Sequence, residues 1–147
     1  MKKLAAILVF AGLASVTAGE DRGGALTGAW RLSWLEQPGA DGKPHRADSS
    51  GLLVFTADGH MSVQVMETRP APEASAPEQY SQGGYEASWG TYKIDNRAHT
   101  FTFHVEGALV RALIGKYLPR AYELSGEQLI VKSTRADEHW RVGWERY

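Results

Sequence analysis

The sequence contains no cysteine. Disulfides, thiolate nucleophiles and cysteine-ligated zinc are therefore excluded, as is a lipid-modified N-terminal cysteine. Net charge is nearly absent as well: 16 Lys and Arg offset 17 Asp and Glu, which leaves −1. That balance gives no broad electrostatic pull toward nucleic acid or an acidic membrane surface. Metal-ligand spacings are also missing. His99 and His104 lie five apart, so a regular strand would point them to opposite faces, and His45, His60 and His139 fall in or beside loops. Neither a metal site nor a cofactor is expected. The chain has no Gly-x-Ser-x-Gly nucleophile elbow and no phosphate-cradling glycine loop.

Long apolar runs are scarce. Leu4 to Val16 follows Met1-Lys2-Lys3 and ends in the small-residue stretch Val16-Thr17-Ala18. It is short for a transmembrane helix and has the composition of a secretory signal peptide. The expectation is a signal at 1–18, cleaved after Ala18, and a mature domain at 19–147 with no membrane span, periplasmic or secreted. A chain of 147 residues reads as one domain, large enough to bury a core without cross-links.

What is present is strand pattern. In Gly28-Ala29-Trp30-Arg31-Leu32-Ser33-Trp34, the residues Trp30, Leu32 and Trp34 fall at a spacing of two and so share one face of an extended chain. Trp140, Val142, Trp144 and Arg146 repeat the arrangement at the other end. Two Trp-rich terminal strands that pair would close a barrel, with Arg146 lying over the Trp30 indole. The alternative is a sandwich with these two strands at its edges. Between them, alternation and turn residues predict strands over Gly51–Thr56, His60–Glu67, Gly84–Ile94, His99–Glu106, Lys116–Leu124 and Gln128–Thr134. With Ala29–Gln37 and His139–Tyr147 that makes eight. Pro119 within a strand argues for a bulge or an edge. Gly107–Gly115 reads as one helical turn or a wide loop over the barrel end. Thr68–Gly84, rich in proline, reads as a flap, a disordered loop or a docking segment for a protein partner.

These residues resemble the bacterial and fungal lipocalin-like domain family. The opening Gly28-Ala29-Trp30, the hairpin Gly51 to Ser62, Gly90-Thr91-Tyr92, Phe103-His104-Val105-Glu106, Gly115, Arg120, Gly126-Glu127-Gln128-Leu129 and the closing Trp144-Glu145-Arg146 follow its order from about Leu26 to Tyr147. The resemblance implies an all-β, eight-stranded antiparallel up-and-down barrel with an interior cavity. It implies no single activity. The Pro-rich Thr68–Gly84 departs from the helical insert that the family leads one to expect.

An interior site is therefore expected, lined by Trp30, Trp89, His104, Arg120, Tyr122 and Trp144. Trp89 travels with the small Ala87 and Thr91. Arg120 and Tyr122 share a face with Leu118 and Leu124, a row that solvent would rarely face. Apolar counting on the neighbouring strand puts Phe101, Phe103 and Val105 inside and His104 outside; the family pattern places His104 inside. Such a cavity suits a small apolar or amphiphilic ligand carrying a carboxylate or carbonyl, with Glu106 or the ligand's acid paired to Arg120. The alternative is an isomerase, cyclase or hydratase that uses His104 as acid/base.

Overall fold

A computed structural model of the chain describes residues 24–70 and 79–147. The expected signal peptide and the middle of the Pro-rich segment, 71–78, lie outside the described residues. Alternating patterns and Gly-containing turns yield β1 Gly28–Pro38, β2 Pro44–Ala47, β3 Ser49–Phe55, β4 His60–Glu67, β5 Tyr85–Asp95, β6 Thr100–Ala108, β7 Tyr117–Ser125, β8 Gln128–Ser133 and β9 Arg141–Arg146. From β3 to β9 successive strands pair antiparallel, and β1 pairs with β3 on one side and with β9 on the other to close the sheet. Both β2 and β3 lie against β1, separated only by Asp48, and serve as one barrel strand. The result is the expected closed, eight-stranded, up-and-down barrel.

Three details depart from the sequence pattern. The loop after β1 is a hairpin: Gly39 N–H donates to Lys43 O at 2.9 Å, and Pro44–Ala47 returns along Leu35–Pro38. Trp34 does not share a face with Trp30 and Leu32. The β1–β9 register passes from Leu32↔Trp144 to Trp34↔Gly143, so Ser33 is an extra residue in a bulge that turns the following side chains over. Trp34 thus lies over Gly143 on the outer wall, between Arg46 and Arg141, whose Cζ atoms stand 4.9 and 5.6 Å from its ring. Pro119 needs no bulge. The β7–β8 pairing begins at Arg120↔Ser133, so Pro119 has a partner only on the β6 side, Thr102, and sits at a local edge.

The barrel has two unlike ends. Short turns close one, where Phe55 meets Tyr92 and Phe101 edge-on at 4.9 and 5.4 Å and fills the interior. Longer connections surround the other. Across it runs a single 3₁₀ turn, Arg111–Leu113, whose Leu113 is buried.

At the short-turn end the first and last strands meet as expected. Gly28, at φ +134°, lets the chain enter β1 in a conformation that residues with a Cβ rarely adopt. Trp30 is fully buried, and Arg146 lies over its ring with Cζ 4.1 Å from the centroid. Arg146 also donates to Thr27 O at 2.7 Å and Ala25 O at 2.9 Å. Arg146→Ala is expected to cost about 1–2 kcal/mol, because a partly desolvated cation–π contact and two carbonyl hydrogen bonds disappear together. Urea unfolding checks it; an unchanged midpoint would show that the lid is decorative.

Candidate functional site

Four of the six residues expected to line the interior are buried in it: Trp30, Arg120, Tyr122 and Trp144. They do not form one site. Trp30 donates through Nε1 to Leu26 O at 2.9 Å and belongs to the packed short-turn end. Tyr122 donates to Asn96 Oδ1 at 3.3 Å, and burial raises its phenol above the ordinary value. Trp144 Nε1 is buried with no hydrogen-bond partner among the described residues. The other two residues are corrected. His104 is on the outer wall, stacked on Tyr117 at 4.4 Å, because Phe101, Phe103 and Val105 claim the inside of β6. Trp89 is also outside, 54% exposed, and its indole lies over Gly107. On β5 the inward positions are Ser88, Gly90 and Tyr92, so the small residues beside Trp89 mark the outer face. Glu106, the expected partner of Arg120, is exposed.

Arg120 has other company. The parity of β7 turns it inward between Leu118 and Tyr122, and it is 7% exposed. Its guanidinium occupies the corner between Tyr80 and Trp140, with each ring centroid 4.9 Å from Cζ and the two rings edge-on to each other at 6.1 Å. Nη1 donates to Pro119 O at 3.2 Å. Glu138 fixes both rings: it accepts from Tyr80 Oη at 2.8 Å and from Trp140 Nε1 at 3.2 Å. Arg135 Nε stands 3.6 Å behind it. The Tyr80 phenol is pushed up to about 12, chiefly by burial. Its proton therefore stays on, and Tyr80 acts as a donor.

The second charge inside the barrel is Glu86. It stands opposite buried Val65 of β4 and two positions before buried Ser88, so its side chain turns inward. The residue keeps some surface exposure, yet protein crowds its carboxyl. Burial pushes the carboxyl up to about 7; the positive charge of Arg120 pulls the other way and is outweighed. Glu86 and Arg120 feel each other without an ion pair: among the described residues, no carboxylate lies within 4.0 Å of Arg120. Sequence reading missed both Glu86 and Tyr80. The signal for Glu86 was there, a carboxylate at the same parity as Ser88 and Tyr92. Tyr80 lies in the unpatterned stretch and had none.

Residues 27–146 match the profile of the lipocalin-like domain family. The chain belongs to that family. Among solved structures it is similar to an uncharacterized protein from Bacteroides eggerthii DSM 20697, at 15% identity and a TM-score of 0.47, covering 82% of this chain and 98% of that one. No curated protein matches it. The lipocalin-like barrel supports a ligand-binding role in general.

This lipocalin-like barrel also carries a groove of about 760 Å³ on its outer wall, lined by Thr91, Lys93, Thr102, His104 and Tyr117 among others. This groove is open to solvent, and no buried charged group among the described residues lines it. Inside the barrel, by contrast, the long-loop end holds a buried guanidinium, an easily protonated carboxyl and two fixed rings.

Proposed function

We propose that the chain binds a small amphiphilic ligand at the long-loop end of the barrel interior, with the ligand's carboxylate or carbonyl on Arg120. The observation that carries this reading is a buried guanidinium that has, among the described residues, no carboxylate within 4.0 Å. Burying a charge that way is costly, and an acidic ligand group offsets the cost by accepting hydrogen bonds from the in-plane N–H donors of the Arg120 guanidinium. Tyr80 and Trp140 supply apolar walls beside it. Decanoate and hydrocinnamate test the idea, with their uncharged amides as counterparts. Arg120→Met keeps an apolar stem and should weaken the two acids by about 1.5–3 kcal/mol, roughly ten- to a hundredfold, while leaving the amides nearly unchanged. Equal affinity of wild type and variant for the acids would sink the proposal.

A second reading rests on Glu86. A carboxyl titrating near 7 beside a cation is suited to moving a proton on a bound ligand, as in an isomerase, cyclase or hydratase. In that reading Glu86 takes the role that His104, outside the barrel, cannot fill.

We also propose export, on the strength of Lys2-Lys3, the apolar run to Val16 and the small residues to Ala18. The intact mass of protein from the producing cell should correspond to a chain starting at Gly19. A full-length mass in a membrane fraction would contradict it.

A further inference from the structure

We infer that Glu86 is the second half of the acid-binding site: in its protonated form it donates to the carboxylate that Arg120 holds, so the ligand enters together with one proton. This rests on the interior binding site proposed above and adds its regulation and its selectivity for acids.

The placement carries the inference. Glu86 on β5 and Arg120 on β7 both turn into the barrel, on either side of β6, and the Arg120 guanidinium is held against Tyr80 and Trp140 from the connections of the long-loop end, where β5 begins. They interact electrostatically but do not touch. A carboxylate bound between them would accept from both, one oxygen facing the guanidinium and the other the carboxylic acid. The O–H···O⁻ bond is of the short, charge-assisted kind.

The surroundings fix the direction of proton flow. On β4 the residue opposite Glu86 is Val65, and on β6 the residue opposite Ser88 is Ala108; neither titrates. The next inward carboxylate on β4, Glu67, accepts from Gln37 Nε2 at 3.2 Å. From the loops come Tyr80, a fixed donor, and Glu138, engaged by Tyr80, Trp140 and Arg135. Arg120 is the cation that acts on Glu86. A ligand carboxylate therefore adds a second negative charge beside a single positive one. Two carboxylates that share a site cannot both ionise cheaply, and the weaker acid keeps the proton. Glu86, already weakened as an acid by burial, is that group.

The experiment measures decanoate and hydrocinnamate affinity by calorimetry between about pH 6 and pH 8.5, a range in which both ligands are ionised and Glu86 titrates. Buffers of unlike ionisation enthalpy report the protons taken up. Wild-type affinity should fall about tenfold for each pH unit well above 7, with proton uptake rising from near zero at about pH 6 toward one per ligand at about pH 8.5. Glu86→Gln, whose amide N–H donates at every pH, should bind at the low-pH wild-type level throughout and take up none. Arg120→Met separates the two proposals. Binding that depends on Arg120 but is flat with pH, or that keeps its pH dependence in Glu86→Gln, overturns this inference alone. Binding indifferent to Arg120, or none of either acid, overturns the interior site as well.

Discussion

Trp30→Ala is expected to lower the unfolding free energy by about 3–5 kcal/mol, the range for truncating a large buried aromatic. The site cannot collapse around the void. Trp30 is held by strands on both sides, in register with Leu53 of β3 and Arg146 of β9, so the backbone has nowhere to move. Two polar groups also lose their partners. Leu26 O would no longer receive the indole N–H, and Arg146 would no longer have a ring beneath it. Those losses add to the missing contacts and place the cost in the upper part of the range. Urea unfolding with an unchanged slope is the measurement. A loss below about 1 kcal/mol would mean that the short-turn end repacks and that strand closure does not depend on this residue. Trp30→Phe, which keeps most of the volume, should recover most of the loss.

The barrel was legible because its strands follow period-two rules. β4, with Met61, Val63 and Val65 alternating against Ser62 and Gln64, was read to its ends, and the pairing of the Trp-rich termini followed from their matching faces. What failed were the places where one residue changes parity or where side-chain size misleads. The extra Ser33 sends Trp34 outside, and no period shows a bulge in advance. The small Ala87 and Thr91 on its face suggest room for Trp89 inside, but the parity of Tyr92 excludes it. His104 was decided by its neighbours: three apolar side chains on the other face of β6 outweigh one imidazole. Of the site, only Arg120 was legible in its true place. Glu86 was readable by parity, yet a glutamate on a strand is most often solvated. Tyr80 and Glu138 come from irregular segments and meet Arg120 only through long-range folding.

Glu86→Gln should make the protein more stable than wild type at neutral and alkaline pH, and this difference should vanish in acid. The sign follows from linkage. In the unfolded chain the Glu86 carboxyl releases its proton near 4.5; in the folded chain burial holds the proton until about 7. Between those values the folded state binds more protons than the unfolded one, so its stability declines as pH rises. Below about 4.5 the carboxyl is neutral in both states and contributes nothing. Above 7 the full cost of an ionised carboxyl inside the barrel is present, about 3 kcal/mol at most for a shift of that size. Glutamine avoids the cost at every pH. Asp41, Asp58, Glu123 and Asp137 are held below their ordinary values by hydrogen-bonded partners and act in the opposite sense at lower pH. They are common to both proteins and cancel in the difference. The opposing term is Arg120, which loses its one interior counter-charge on substitution. Because the pair does not touch and burial outweighs the attraction, the net effect should favour glutamine. Urea unfolding of both proteins from about pH 4 to pH 8.5 decides it: the curves should separate as pH passes from 4.5 to 7 and run parallel beyond. A wild type more stable than Glu86→Gln at pH 8 would show that Arg120 holds an ionised Glu86, and that the carboxyl has no proton to offer a ligand.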